Sequence, residues 1–338
     1  MNMGRAIAAL LAFIAIGSAG RAADFYDGKT IRIVTGGNPG GGYDAYTRLI
    51  ASYIGRHIPG SPALLVQNMP EGSGIGAANY IFNIAKKDGT DLGQFNRDAL
   101  IESLLGQQLA KFTLQDFNWI GTPANYSANV FVVVIRAALP YHSMADLRAA
   151  STPLNFGNMG TVLAYLVKDA MGANLKIIEG YKGDLGLALQ RGEIDGLVTD
   201  YALVKLAHPD WLANGLIRII AQYGGDRRLP ELPDVPTAQE LALTPDDLAL
   251  IRFCELGLHL GFPFAAPPGV PPDRVELLRR AFAATVEDAD YVSAVRKANL
   301  EYSPMSGEKL ADDVVEATQA SPATIARYKM LAETGGRR

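Results

Sequence analysis

Cysteine, clustered basic residues and long apolar runs are all scarce in this sequence. Among its 338 residues Cys254 is the only cysteine, so no disulfide can form within the chain. Asp and Glu (35) outnumber Lys and Arg (31), and no basic block interrupts the chain. This balance argues against nucleic acid as a partner. Beyond the N-terminal region, no segment reaches the apolar length needed to cross a membrane.

Motifs for metal binding and catalysis are also missing. The four histidines lie far apart, and none belongs to a His-x-His or His-Glu-x-x-His pattern. Ser73 is not a nucleophile elbow, because Glu71 and Ile75 stand where that motif needs glycines. No acid–base pair or phosphate-binding signature is evident either. We therefore expect no metal, no cofactor, no catalytic residues and no enzymatic activity.

The N-terminus is typical of a secretory signal. Arg5 supplies a positive charge, Ala6–Ile16 is an apolar segment of eleven residues, and small residues follow at 17–20. The apolar segment is short for a membrane anchor, which disfavours an uncleaved helix. We predict a signal peptide over residues 1–23, with cleavage between Ala19 and Asp24, and hence an exported protein.

The stretch Thr30–Ile58 predicts the central unit of the fold. It begins with a buried strand around Ile31–Val34 and ends in an amphipathic helix with apolar residues at three- and four-residue spacing. Between them lies the glycine-rich segment Gly36–Gly42. Glycines allow close approach of backbone N–H groups, and a helix N-terminus favours negative charge. The stretch therefore indicates an anion site, although glycines at this position can also serve only a tight turn.

Strands, polar or glycine-rich loops and helices alternate along the rest of the first hundred residues. Loops 67–76 and 96–98 follow the second and third predicted strands, and ligands of parallel sheets bind outside such strand ends. The pattern recurs where the predicted strand Leu154–Phe156 is followed by Gly157–Thr161 and a helix. An extended segment is predicted over Arg252–Phe264, and a single closing helix over Gly307–Met330.

The simplest organisation is a discontinuous first domain with an inserted second one. We predict a first lobe formed by residues 24–124 and 225–338, and a second lobe formed by residues 125–224. The predicted fold class is α/β: a two-lobed, type II-like periplasmic binding protein. Each lobe would have a mixed, mainly parallel sheet flanked by helices, with a ligand cleft between the lobes.

A series of motifs, in order, resembles one family. The chain is similar to the substrate-binding proteins of tripartite tricarboxylate transporters, also called Bug receptors. The matching segments are 31–34 with 39–44 and Arg48-Leu49, Val66–Pro70 with Gly72, Gly74 and Gly76, Lys87–Thr90, Phe156–Asn158 with Gly160-Thr161, Gly180–Gly183, Gly192–Asp195, Leu232–Thr237 and Ala266–Pro271. Their order and spacing carry the resemblance over nearly all of the predicted mature chain.

The resemblance implies a periplasmic receptor without catalytic activity. Such receptors close on small organic acids, often dicarboxylates, and deliver them to a membrane permease with one large and one small subunit. A di- or tricarboxylate ligand and a monomeric receptor that contacts the permease transiently are therefore expected. By this analogy the ligand-binding residues are Gly40, Gly41, Gly42, Asp44, Ser73, Gly74, Asn96, Asn158, Gly160, Thr161 and Asp200, to which Tyr43 and Arg97 are added as polar groups beside the same loops.

Each charged or polar candidate also has a structural interpretation. Arg97 could bind a carboxylate bidentately or pair with a neighbouring acid. Asp44 could bond a ligand hydroxyl or stabilise its own helix, and the helix interpretation is favoured. Asp200 could face the cleft, where it would repel a plain dicarboxylate unless water, an amine or a hydroxyl intervenes. Asn158 and Thr161 offer donors but could also only cap the helix.

Departures from the family pattern keep other functions open. Asn38, Tyr43, Glu71 and the polar stretch 94–98 differ from the residues usual in the family. They allow a receptor for an aromatic acid or another solute. A sensor that reports ligand binding to a signalling partner is a further alternative, which neighbouring genes could distinguish.

Overall fold

The computed structural model describes residues 24–125, 130–159, 161–181, 185–224 and 227–334. The predicted signal peptide, residues 1–23, lies outside this part of the chain. The backbone packs as two compact units. Unit 1 comprises the described residues up to Asn125 together with Leu260–Thr318, and unit 2 comprises those of Tyr126–His259 and Gln319–Arg338.

Eleven strands and thirteen helices are numbered here in chain order. The strands are β1 (Thr30–Thr35), β2 (Ala63–Asn68), β3 (Asp91–Gln94), β4 (Asn118–Thr122), β5 (Phe131–Arg136), β6 (Leu154–Gly157), β7 (Leu175–Ile178), β8 (Gly196–Asp200), β9 (Ile217–Tyr223), β10 (Phe264–Ala266) and β11 (Met305–Ser306). The helices are α1 (Gly42–Ile54), α2 (Ile75–Asn83), α3 (Arg97–Leu104), α4 (Met144–Ala149), α5 (Val162–Asp169), α6 (Leu185–Arg191), α7 (Tyr201–Ala207), α8 (Pro209–Ala213), α9 (Pro245–Leu260), α10 (Pro272–Glu287), α11 (Ala289–Lys297), α12 (Gly307–Thr318) and α13 (Pro322–Thr334).

Unit 1 is built on a six-stranded sheet in the order β11-β4-β10-β3-β1-β2. β1 pairs in parallel with β2 and β3. Its residues Ile31, Ile33 and Val34 are fully buried, as expected for a strand covered on both faces. Helix α1 turns Ile50 and Ile54 toward the same core, to which α10 contributes Leu278 and Phe282. The carboxyl ends of β1, β2 and β3 therefore meet at one edge of a rigid sheet.

Unit 2 contains a five-stranded sheet in the order β7-β6-β8-β5-β9. β6 is parallel to β7 and β8, whereas β5 is antiparallel to β8 and β9. The run Val132–Ile135 in β5 is fully buried. Its core includes Leu189 from α6, Val204 from α7 and Trp211 from α8.

The predicted α/β class with mixed sheets flanked by helices is confirmed, but the expected excess of parallel pairing is wrong. Parallel pairs are two of the five described in unit 1 and two of the four described in unit 2. In unit 1 the antiparallel pairs involve β10 and β11, which come from the C-terminal part of the chain. These short strands show no apolar pattern that would reveal their direction.

The unit boundaries also differ from those predicted. The first change of unit falls within one residue of the expected position, but residues 227–259 and 319–334 belong to unit 2 rather than to the first lobe. Polar contacts join these segments to the rest of unit 2. Glu255 on α9 accepts a hydrogen bond from the Gly224 N–H at 3.0 Å. On α13, Arg327 forms ion pairs with Asp169 and Asp247 at 2.6 and 2.7 Å.

The segment Arg252–Phe264, predicted as extended, is helical through Leu260. It continues α9, and β10 begins only at Phe264. Within 251–260 only Arg252 is exposed. The apolar residues of this part of the helix are therefore spread around its circumference instead of forming one stripe. Cys254 is buried on this helix, in agreement with the core position expected from its neighbours. The helix start is nevertheless encoded, because the Thr244 hydroxyl accepts the Asp247 N–H at 3.1 Å.

The closing segment predicted as one helix is two helices. α12 ends at Thr318 and α13 begins at Pro322. Proline lacks the N–H that a helix interior requires, and the Ser321 hydroxyl accepts the N–H of Thr324 at 3.1 Å. The chain therefore starts a new helix at this point.

Gly261, just after α9, provides a test of the tight packing where the chain enters unit 1. Its φ is +56°, and a Cβ there would lie 2.0 Å from the Ala124 carbonyl oxygen. Gly28 has a similar φ of +63° with nothing within 4 Å of the added carbon. We expect Gly28→Ala to lower the free energy of unfolding by about 1–2 kcal/mol from backbone strain alone. Gly261→Ala should lower it by more than about 3 kcal/mol.

Urea unfolding of both variants beside the parent protein measures this difference. Equal losses for the two substitutions would show that the neighbouring backbone yields to the new carbon, contrary to the tight packing seen here.

Candidate ligand-binding site

Three loops meet at the edge of unit 1 where β1, β2 and β3 end. Gly36 begins the first loop, Gly74 ends the second, and Asn96 lies in the third. A Cβ on Gly36 would lie 3.0 Å from the Gly74 Cα and 3.2 Å from Asn96 Oδ1. Gly74 has φ +93° and would itself clash with Asn96. Glycine is required at these positions because the first two loops touch through their backbones and the Asn96 side chain packs against both.

Asp44 is the polar centre of the first loop. Its side chain is buried, and Oδ2 accepts the Gly40 N–H and the Arg48 Nε–H, both at 2.8 Å. Oδ1 accepts Asn68 Nδ2–H at 2.8 Å, and the same amide group donates to the Gly37 carbonyl at 2.9 Å. One carboxylate thus connects the glycine loop, helix α1 and the end of β2.

The ionised form of Asp44 is strongly favoured. Burial alone would raise the pKa of the carboxyl, but hydrogen bonds from Arg48, the Gly40 N–H and Asn68 outweigh it and lower the pKa to about 2. The carboxylate is therefore charged and fully engaged at neutral pH. Its contacts favour the structural interpretation of Asp44 over direct contact with a ligand.

The three glycines predicted to bind the ligand differ in what their N–H groups do. Gly40 donates to Asp44, and Gly41 donates to the Asn38 carbonyl at 3.0 Å. Gly42 is the exposed first residue of α1, and no side chain caps this helix at Gly41. The N-terminal turn of α1 thus retains the amide dipole suited to an anion.

Tyr43 and Arg97 link the first loop to the third. The Tyr43 hydroxyl accepts the backbone N–H of Arg97 at 3.2 Å, and its ring lies 5.0 Å from that of Phe262. Arg97 is the first residue of α3 and is half-buried. The structure therefore gives Tyr43 a positioning contact at the predicted site.

Ser73 and Asn96 are joined by their polar groups. Ser73 lies in a left-handed backbone conformation, φ +57°, and its carbonyl accepts Asn96 Nδ2–H at 2.9 Å. The other amide atom, Asn96 Oδ1, is buried and has no hydrogen-bond partner among the described residues. A buried acceptor of this kind requires a donor from water or from a ligand.

Beneath the loops lies a buried polar network that the sequence analysis missed. Gln94 Oε1 accepts hydrogen bonds from the hydroxyls of Thr35 at 2.6 Å and Thr47 at 3.3 Å, and Thr35 also accepts the Gly37 N–H at 3.1 Å. All three side chains are buried. For Thr35 and Gln94 the signal in the sequence was a polar residue at the end of a buried strand, whereas Thr47 lies within helix α1. They fix the loops from below.

In unit 2 the predicted residues Asn158 and Thr161 form one turn after β6. Asn158 is buried; its Oδ1 accepts the Thr161 N–H at 3.2 Å, and its Nδ2–H donates to the Thr161 carbonyl and to Glu179. Thr161 occupies the position before α5 without capping it, and its buried Oγ1 has no partner in the described part of the chain. Gly160 lies outside the described residues.

Glu179 and Tyr165 complete the polar surroundings of this turn. Glu179 accepts hydrogen bonds from Asn158 at 2.7 Å and from the Tyr165 hydroxyl at 2.9 Å. Burial, the hydrogen bond and the charge of Glu179 together raise the pKa of Tyr165 to about 12. Tyr165 is therefore a neutral donor at physiological pH. Neither residue was among the predicted site residues.

Asp200 has a structural role in unit 2. It precedes α7, and its Oδ1 accepts the N–H groups of Ala202 at 2.8 Å and Leu203 at 3.1 Å. A carboxylate at this position satisfies the first turn of the helix and favours its dipole.

No group of three or more metal-ligating side chains occurs among the described residues. No helix in the same part of the chain is both long and apolar enough to cross a membrane.

The model of the tripartite tricarboxylate transporter family receptors matches residues 56–329. The chain belongs to this family. Its members are substrate-binding receptors rather than enzymes, and they act in the periplasm with a small-molecule ligand and a membrane transporter as partners. The resemblance inferred from the motifs is thereby confirmed.

Solved structures of periplasmic proteins are similar to this chain. A TctC solute-binding protein from Polaromonas, without ligand, is 24% identical over 91% of this chain and 99% of its own, with a TM-score of 0.67. BugD is 17% identical over 92% and 99%, and MatC from Rhodopseudomonas palustris, solved with bound malate, is 19% identical over 90% and 99%. Both have TM-scores of 0.43. A search of curated proteins found no match. The Polaromonas structure supports the assigned fold.

The pH dependence of stability tests the role of Asp44. Because its pKa is lowered from 3.8 to about 2, its contribution is present above pH 4 and is lost as the pH falls toward 2. Asp44→Asn should lower the free energy of unfolding at pH 7 by about 1–3 kcal/mol. The difference in free energy of unfolding between Asp44→Asn and the parent protein should become smaller between pH 4 and pH 2. Urea unfolding at several pH values measures this difference.

Asp98→Asn is the matched control, since Asp98 is an exposed acid in the first turn of α3. It should change stability by less than about 1 kcal/mol. If the difference in free energy of unfolding between Asp44→Asn and the parent protein stayed constant down to pH 2, this result would contradict the charged network around Asp44.

Proposed function

We propose that this receptor binds a small organic acid, a di- or tricarboxylate, and delivers it to a membrane permease with one large and one small subunit. The supporting observation, made in each unit separately, is that helices begin at the strand ends without a side-chain cap from the preceding residue. In unit 1 these are the starts of α1, α2 and α3, and in unit 2 that of α5. Amide N–H groups and helix dipoles at such ends favour a carboxylate.

The acidic residues near these helix starts are already engaged. Asp44 is held by Gly40, Arg48 and Asn68, and Asp200 caps α7. Their carboxylate oxygens therefore have donors of their own, which reduces the repulsion that an unpaired acid would exert on a bound carboxylate. This arrangement supports an anionic ligand despite the two aspartates in the motifs.

Two buried polar atoms indicate what else the ligand offers. Asn96 Oδ1 is an acceptor and Thr161 Oγ1 is a hydroxyl, and neither has a partner in the described part of the chain. A hydroxyl on the acid, or a water bound with it, would supply the donor that Asn96 requires. Thr161 could donate directly to a carboxylate. Arg97 is proposed as a further contact for a second carboxylate group.

Delivery to the permease requires a receptor that releases its ligand on docking. We propose that the receptor acts as a monomer and contacts the permease transiently. Capture between two lobes, expected from the sequence, stays a prediction.

The ligand class can be tested by a thermal-shift screen of the protein from Asp24 onward against mono-, di- and tricarboxylates and aromatic acids. A ligand at a hundred times its Kd adds about 2.7 kcal/mol to the folded state, which gives a clear rise in Tm. A response to di- or tricarboxylates supports the proposal. A response to aromatic acids alone, or to no carboxylate, contradicts it.

Thr161→Val separates a binding role from a structural one. Because the Thr161 hydroxyl makes no hydrogen bond within the described protein, its removal should leave the Tm of the free protein unchanged or higher. Loss of a hydrogen bond to a charged ligand costs about 1.5–3 kcal/mol, so the Kd should rise about tenfold or more. Isothermal titration with the best acid from the screen measures this change.

Thr285→Val is the matched control, because its buried hydroxyl donates to the Ala281 carbonyl at 2.6 Å within α10. It should lower the Tm and leave the Kd unchanged. If Thr161→Val also left the Kd unchanged, Thr161 would not contact the acid.

A further inference from the structure

Unit 2 contains a cavity at the edge of its sheet opposite to the Asp200 end of β8. The cavity has a volume of about 470 Å³ and is lined by Arg136, Ala138, Leu189, Gln190, Asp210, Trp211, Leu216 and Ile217. Arg136 pairs with Ile217 at one end of the β5–β9 ladder, whereas Phe131 pairs with Asp200 and Tyr223 at the other end. The length of the strands, roughly 13 Å or more, therefore separates the cavity from Asp200.

Two buried donors in the cavity wall lack an acceptor. Trp211 is only 1% exposed, and its indole Nε1–H has no hydrogen-bond partner among the described residues. The same holds for the buried Nε–H of Arg136, although its Nη2 donates to Asp195 at 2.6 Å. Buried Trp and Arg donors are normally satisfied, so these two indicate an acceptor that an occupant would bring.

A cavity of similar size in unit 1 shows the contrast. It measures about 460 Å³ and is lined by residues of α10 and the start of α12. There Arg279 pairs with Glu308 and donates to the Trp119 carbonyl, and Arg280 pairs with Glu276. None of the residues lining it has a buried polar atom without a partner in the described structure. Volume alone therefore does not distinguish the unit 2 cavity; its unsatisfied donors do.

The orientation of both donors is fixed by neighbouring groups. The Trp211 ring stacks on His208 at 4.0 Å with an interplanar angle of 9°. Asp195 holds Arg136 through one carboxylate oxygen and accepts the Asn155 N–H through the other at 2.9 Å. Both donors therefore keep a fixed orientation, which lowers the cost of ordering them when an acceptor binds.

The charges around the cavity determine the class of ligand. Arg136 is neutralised by Asp195, and Asp210 adds a second negative charge to the wall, so these three groups sum to −1. The remaining wall is largely apolar. We infer that this cavity is a second binding site, which takes an uncharged molecule with an apolar body and a carbonyl-type acceptor. Within unit 2 it lies away from the Asp200 end of the sheet, and it does not depend on the proposed carboxylate site.

The two tryptophans of the chain provide a specific measurement. Trp119 Nε1–H already donates to the Leu114 carbonyl at 3.1 Å, so its indole resonance serves as an internal reference. Three probes share a similar apolar body. N,N-dimethylbenzamide offers a neutral acceptor, benzoate offers an anion, and propylbenzene offers no acceptor. In a ¹H–¹⁵N spectrum, N,N-dimethylbenzamide should move the Trp211 indole proton downfield, and this displacement should reach a limit as the probe concentration rises. The Trp119 resonance should stay in place, and benzoate should bind at least about tenfold more weakly.

Two substitutions test whether the probe moves the Trp211 resonance from within the cavity. Ala138→Leu places a larger side chain in the cavity wall and should abolish the displacement of the Trp211 resonance. Ala213→Leu, also an exposed alanine of unit 2 but outside the cavity lining, should preserve it. The inference is overturned if no neutral probe (amide, ester or ketone) moves the Trp211 resonance. It is equally overturned if benzoate binds as tightly as the amide, or if Ala138→Leu has no effect.

Discussion

The buried carboxylate of Asp44 holds together the part of the molecule on which the proposed binding site depends. It accepts hydrogen bonds from the glycine loop, from Arg48 on α1 and from Asn68 at the end of β2. An ionised group in a buried position is stable only when donors surround it, and here the donors come from three different segments. The Gly-rich loop, which has little conformational preference of its own, takes its shape from this charge.

The value of a helix start to the proposed site depends on whether a side chain already accepts hydrogen bonds from its first N–H groups. Asp200 caps α7 and Ser143 caps α4, so these ends offer little to a ligand. Absence of a cap is not sufficient evidence by itself, since α10 also lacks one and begins instead with proline. The proposed site in unit 1 is distinguished by several helix starts at one sheet edge that the preceding residue does not cap, together with the buried Asn96 Oδ1, which has no partner among the described residues. Convergence of such groups is what a carboxylate requires.

The sheet of unit 2 places different chemistry at its two edges. Beyond the carboxyl ends of β6 and β8 lie amide, hydroxyl and carboxylate groups in short polar turns, including Asn158 and Thr161. At the opposite edge, Trp211 and Arg136 lie in a mostly apolar wall. Loops after parallel strands are shaped by helix starts and are therefore polar, whereas the other edge is closed by short helices packed through apolar side chains. The two proposed ligands of unit 2, which differ in charge, are matched to these two edges.

The sequence by itself determined the local features of this protein: the β1–loop–α1 segment, the polar loops after each strand and the family. These depend on periodicity and turn chemistry over a few residues, which the order of amino acids contains directly. The tertiary structure decided features that depend on distant partners. Arg252–Phe264 looked extended because a helix buried on all sides has no apolar stripe. Asp44 acquired its role only when Asn68, distant in sequence, came within hydrogen-bond distance, and the unsatisfied donor of Trp211 exists only because folding buried it without supplying an acceptor.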